Sequence, residues 1–194
     1  MIHHRLAIFA SGSGTNAENI IHYFKDNENI DIALVLTNNP KAGVIKRAMN
    51  LNVPVVIFTK EEFYNTTKIS DILNGNSIDF IVLAGFLWMI PGGIIRTYQH
   101  RIVNIHPALL PKYGGKGMYG DNVHKAVKSN LERETGITIH FVNEIYDEGE
   151  IIFNAKCTID PLKESVDEIA NKVHQLEYKY FPQIIEQVLT QINS

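Results

Sequence analysis

Cysteine is nearly absent from this chain. Cys157 is the only one in 194 residues, which excludes an internal disulfide framework and any cysteine-rich zinc site. It lies in the apolar run Glu150 to Thr158 and reads as a buried structural thiol. Long hydrophobic runs are missing too. The longest, Phe80 to Phe86, falls far short of the ~20 residues that span a bilayer, and no basic segment leads into an apolar stretch as a secretory signal requires. Nor is positive charge in excess. Lys and Arg number 18 against 21 Asp and Glu, a formal charge of -3, which argues against non-specific nucleic-acid binding because that needs clustered cations. His3 and His4 read as a solvated terminus, and no metal is expected. These absences leave a single-domain (1–194) cytoplasmic protein acting on small molecules.

What is present is ordinary globular material, 45% hydrophobic and 20% charged, enough to bury a sizeable core. Apolar runs alternate with helical spacing. Leu6 to Ala10, Ile32 to Thr37, Val53 to Phe58, Phe80 to Ala84 and Ile102 to Ile105 read as strands. Between them, helices are predicted up to about Lys25, over Ala42 to Met49 and over Lys60 to Leu73. Continuous apolar strands separated by helices indicate a three-layer α/β fold, its twisted, mostly parallel sheet covered on both faces. Beyond Pro107 the character changes. Gly114, Gly115, Gly117 and Gly120 make a flexible loop, a short helix runs from about Asn122 to Ser129, and Ile137 to Val142 and Ile151 to Ile159 add two strands. From Ser165 the apolar residues recur every three or four positions, predicting a long terminal helix kinked or broken near Pro182. Residues 1–106 thus read as a Rossmann-like phosphate-binding half and 107–194 as a second half.

The loop Ser11 to Asn16, between the first strand and first helix, can present unpaired backbone N–H groups to an anion. Gly12 to Ala17 even fits the dinucleotide pattern G-x-G-x-x-A. The second strand, however, ends at Leu36-Thr37-Asn38-Asn39-Pro40 with no acid to hold a ribose, which disfavours a nicotinamide oxidoreductase. No Gly-Lys-Ser/Thr follows, so the loop is not a Walker loop. A cradle for a single phosphate is favoured over a plain βα turn.

Asn104 and His106 are two apart on one strand and project to the same face near its C-terminal end, where open α/β sheets bind ligands. An amide donor beside an imidazole suits stabilising an oxyanion while a proton moves. A hydrogen-bonded strand-end histidine followed by a proline stop explains the pair as well, so these two residues decide nothing alone. His140, His124 and Trp88 stay similarly open between a place in the site and a structural or surface one.

The surrounding blocks extend the reading. Asn104-Ile-His-Pro-Ala-Leu-Leu-Pro111 resembles the signature of the folate-dependent formyltransferases. The resemblance continues through Ser11 to Asn16, Val82-Leu-Ala-Gly-Phe86, Gly136 to Val142 and Asp147-Glu-Gly-Glu-Ile-Ile152, in family order across nearly the whole chain. It implies the formyltransferase fold, with antiparallel strands added near the C-terminus and a folate-binding, catalytic second half. It also implies formyl transfer from 10-formyltetrahydrofolate to the amine of a phosphoribosyl glycinamide, with no metal. Carried over by position, the catalytic trio is Asn104, His106 and Asp147, and the acceptor is held by Gly14, Thr15, Asn16 and Glu177. The folate is held by Leu87, Trp88, Met89 and Ile90, by Asn143, Glu144, Ile145, Tyr146 and Asp147, by Asn104, and by Lys60 near its glutamate tail. Asp147 is expected to raise the His106 pKa toward imidazolium.

The chain departs from the family in its long Gly114 to Gly120 stretch and in Trp88, where a basic residue is common. Other folate formyl enzymes, acting on methionyl-tRNA or hydrolysing the formyl group, normally carry a further domain. A non-catalytic sugar-phosphate-binding module is the remaining alternative. The expected partners are small molecules, with no nucleic acid and no membrane, and the expected state is a monomer or weak homodimer.

Overall fold

The computed structural model describes residues 3–192. Five parallel strands, β1 (His4–Phe9), β2 (Ile30–Thr37), β3 (Val55–Ile57), β4 (Phe80–Leu83) and β5 (Ile102–His106), form one sheet. Antiparallel β6 (Glu134–Phe141) and β7 (Ile151–Thr158) extend it in the order β3-β2-β1-β4-β5-β6-β7. The central strands bear residues on both faces that are fully buried, such as Leu6, Ala7, Ile8 and Phe9, so they read as unbroken apolar runs rather than alternating ones.

Two cores follow from that alternation. Leu6, Ile8 and Val82 face α1 (Thr15–Phe24), α2 (Gly43–Asn50) and the long α7 (Val166–Ile192). Ala7, Phe9 and Ile81 face α3 (Lys60–Tyr64), α4 (Lys68–Gly75) and α5 (Gly92–Thr97). A smaller cluster sits under α6 (Asp121–Ser129) around Val123 and Ile169. The three-layer α/β architecture is therefore as expected, including the antiparallel strands and the terminal helix.

Several local expectations are corrected. Lys60 to Leu73 is two helices, because the side chains at the break compete for helical partners. Thr59 and Glu62 form a capping box that starts α3, Asn65 Nδ2 bonds Glu61 Oε2 at 2.7 Å, and Thr67 Oγ1 bonds Asp71 Oδ2 at 2.7 Å. The short α5 was hidden by Gly92 and Gly93, which lower helical propensity. His4 is not solvated: it opens β1, is buried, and its Nδ1 lies 2.8 Å from Asp79 Oδ2. His3 is exposed. Cys157 is only half-buried, since β7 is the edge strand.

The terminal helix runs unbroken through Pro182. Proline has no N–H for the carbonyl four residues earlier, which is that of Tyr178. Asn19 Nδ2 donates to the Tyr178 carbonyl instead, at 2.9 Å. One turn of α1 away, Asn16 Nδ2 donates to Glu177 Oε2 at 2.8 Å. The two asparagines thus fasten α1 to α7 at the point where the proline would otherwise leave an orphaned carbonyl.

Candidate active site

The strand order places a switch point between β1 and β4. Chain leaving β1 turns toward β2, and chain leaving β4 turns toward β5, so the loops after these strands part and open a crevice. A cavity of about 620 Å³ occupies that position, lined from the first loop, the loop after β4, the end of β5, the Gly-rich loop and α7.

One wall is the loop Ser11 to Gly14. Gly14 adopts φ 80, ψ 20 and caps α1 without a side-chain hydrogen bond. A Cβ there would lie 2.5 Å from Val44 Cα, so both its backbone and its space demand glycine. The loop carbonyls are turned away from the cavity. Ser11 O accepts from Asn39 Nδ2 at 3.2 Å, Gly12 O from Val44 N–H at 3.2 Å, and Ser13 O from Arg47 Nε at 3.0 Å. The first N–H groups of α1, left without carbonyl partners inside the helix, start at the edge of the cavity, the kind of place at which a helix can hold an anion. Gly14, Thr15 and Asn16 all line it, as does Glu177, whose burial raises its pKa.

The facing wall carries the strand-end pair. Asn104 is registered opposite His140, and His106 opposite Thr138. His140 Nδ1 donates to the Phe141 carbonyl at 2.8 Å, so its Nε2 accepts from Asn104 Nδ2 at 3.0 Å and fixes the amide. Thr138 Oγ1 donates to Ala108 O at 2.8 Å and accepts from Leu110 N–H at 3.0 Å, which sets the chain just beyond His106. His106 is 3% exposed; its Nε2 donates to the Tyr113 carbonyl at 2.8 Å, and its Nδ1 lies 3.6 Å from Asp147 Oδ2.

Asp147 reaches this point on a constrained turn. Its φ is 56, in the left-handed region, and Gly149 follows where a Cβ would lie 1.6 Å from the Phe141 carbonyl oxygen. Asp147 Oδ2 accepts from Gly115 N–H at 2.8 Å, and Oδ1 lies 3.7 Å from His140 Nε2. The carboxylate is thereby central to both histidines.

The expected rise in the His106 pKa does not occur. Burial lowers it below its ordinary value and outweighs the opposing pull of Asp147 and of the Tyr113 carbonyl. His140 is lowered by burial as well. Both imidazoles are neutral at neutral pH, and His106 carries its hydrogen on Nε2.

The residues expected to hold folate divide. Leu87, Asn104, Tyr146 and Asp147 line the cavity, whereas Lys60, Trp88, Met89, Ile90, Asn143, Glu144 and Ile145 do not. The Trp88 ring packs with Phe58, Phe63, Tyr64 and Phe86 at centroid distances of 6.0–6.4 Å, and Tyr64 Oη donates to the Met89 carbonyl at 2.9 Å. Glu144 pairs with Arg96 at 3.2 Å on the surface, and Lys60 is exposed at the start of α3. Among the described residues no group of three His, Cys, Asp or Glu is placed to hold a metal ion.

The residue pattern described as Formyl transferase matches residues 4–185. The chain belongs to the formyl transferase family. A relative in this family from Bacillus subtilis, named phosphoribosylglycinamide formyltransferase, is 33% identical over 95% of this chain and 94% of its own length. A chloroplastic phosphoribosylglycinamide formyltransferase from Arabidopsis thaliana is 37% identical over 93% of this chain, which spans 64% of that protein. Among formyl transferase structures, glycinamide ribonucleotide transformylase 1 from Geobacillus kaustophilus superposes with a TM-score of 0.86 at 34% identity, covering 96% of this chain and 99% of that one. Among the described residues no helix is long and apolar enough to cross a membrane.

Proposed function

We propose that this formyl transferase moves the formyl group of 10-formyltetrahydrofolate to the glycinamide amine of 5′-phosphoribosylglycinamide, a step of purine biosynthesis. The observation that carries the reading is the convergence of Asn104, His106 and Asp147 on one cavity whose other wall is the glycine-bearing loop and the start of α1. The names of the relatives supply the acceptor.

The amine nitrogen attacks the formyl carbon, the carbonyl oxygen takes up negative charge, and the bond from carbon to N10 of the folate then breaks. The amine releases one proton and N10 accepts one, so the transfer is balanced without a metal. Asn104 donates its second amide hydrogen to the oxyanion. His106 donates from Nε2 as a neutral imidazole, the formyl oxygen replacing the Tyr113 carbonyl as its acceptor. Asp147, beside the bare Nδ1 of His106, receives the amine proton through a water. Gly14, Thr15, Asn16 and Glu177 hold the acceptor. Leu87, Tyr146 and Asp147 hold the folate within the cavity, and the flanking Trp88 to Ile90 and Asn143 to Ile145 hold the part that extends beyond it, largely through backbone, with Lys60 near its glutamate tail. The protein acts in the cytoplasm as a monomer or weak homodimer, without nucleic-acid or membrane partners.

The test is a spectrophotometric deformylation assay with and without the amine. Amine-dependent product supports transfer. Equal rates without the amine point to a hydrolase, and no deformylation in either case removes the catalytic reading.

A further inference from the structure

His124, on the first turn of α6, is 2% exposed and lines the cavity, yet its Nδ1 has no hydrogen-bond partner among the described residues. Buried polar atoms are nearly always paired, so an unpaired one on a cavity-lining residue marks a place for a ligand. Its neighbours form a polar row. His174 of α7 meets it edge-on, with ring centroids 6.3 Å apart. One turn further on α7, Glu177 holds Asn16 Nδ2, whose own Oδ1 is buried and unpaired.

The chemistry of these atoms selects the ligand group. Asn16 Oδ1 only accepts, so its partner must bring a hydrogen. An ionised phosphate oxygen has none. His124 is neutral at neutral pH, since burial and His174 hold its pKa near 4, and it gives an anion no counter-charge. A sugar's hydroxyls suit both positions, one donating to Asn16 Oδ1 and another donating to or accepting from His124 Nδ1.

We propose that His124 is a specificity-determining contact for the acceptor, taking a sugar hydroxyl at the end of the cavity closed by α6 and α7. The proposal deepens the transfer reading above, which gave His124 no role.

Steady-state kinetics of the full chain test it, with the ribose acceptor and its 2′-deoxy and 3′-deoxy counterparts. Loss of one hydrogen bond in a His124→Leu variant should raise the acceptor KM about tenfold, with the folate KM within about twofold. One deoxy acceptor should lose a similar factor in the unaltered enzyme and nothing further in the variant. Losses that multiply with both deoxy acceptors, or an unchanged acceptor KM, overturn the proposal. Near-UV circular dichroism checks folding; should His124→Leu not fold, His124→Asn carries the comparison with the same expected KM split. Should the unaltered protein transfer no formyl group, the transfer reading fails separately. Calorimetric titration with ribose 5-phosphate then decides: weaker binding in the variant upholds the hydroxyl contact, and equal binding overturns it.

Discussion

His106 and Tyr113 are joined through the backbone: the imidazole Nε2–H points at the Tyr113 carbonyl oxygen, 2.8 Å away. The Gly-rich loop thereby decides which ring nitrogen bears the hydrogen, with Asp147 beside the other. Nitrogen NMR of His106 in the ligand-free protein should show Nε2 protonated and Nδ1 bare at neutral pH. Signals of a fully protonated imidazolium would contradict this.

Asp147→Asn removes an interaction that raises the His106 pKa while leaving the burial that lowers it. The variant's His106 pKa should fall further, and the acid limb of the pH–rate profile should move to lower pH. Below that limb the imidazole is charged and the site is out of its working state. An unmoved limb would separate Asp147 from His106 titration.

Asn104→Ala takes away one of the proposed oxyanion donors and also the group that His140 steadies. Turnover should drop by about 100- to 1,000-fold, with little change in acceptor binding. A loss of tenfold or less would mean that the amide does not face the developing charge.

Gly14→Ala would place a methyl group against Val44 Cα, at a backbone φ of 80. The strain should cost about 1–3 kcal/mol, read as a lower melting temperature, and acceptor binding should weaken because the first turn of α1 is displaced. Normal stability together with normal acceptor affinity would show that the loop yields without consequence.

Acid stability follows from the same burial. His124, His106 and His140 have depressed pKa values when folded, so the unfolded chain binds more protons as pH falls below the ordinary value of 6.5. Their contribution is complete above that pH and is lost as pH falls toward about 4, the His124 value. Melting temperature should decline across this window, less steeply for His124→Asn. An identical slope in that variant would remove His124 from the linkage.

The sheet was legible because its central strands are buried on both faces and so stand out as apolar runs; Phe80 to Leu83 is the plainest case. The short α5 and the break between α3 and α4 depend on glycines and on local side-chain hydrogen bonds that periodicity averages away. In the site, strand spacing put Asn104 and His106 on one face, but their partners came from elsewhere. His140 meets Asn104 only through the antiparallel register, and Tyr113 acts through a carbonyl that every residue possesses. The neutral His106 escaped sequence reading for a related reason: an acid eight ångströms or three away looks the same in a sequence, and burial does not appear in it at all.

Pro182 gives α7 a positional mark. Among the consecutive carbonyls along that stretch, the one at Tyr178 is the carbonyl that the proline leaves free, and Asn19 takes it. A helix docking against a uniform partner can slide by a turn at small cost, whereas here a slide would abandon the single open acceptor. The register so fixed also sets Glu177 against Asn16. The proline thus works as an alignment pin, and an apparent defect in the helix determines where Glu177 meets the cavity.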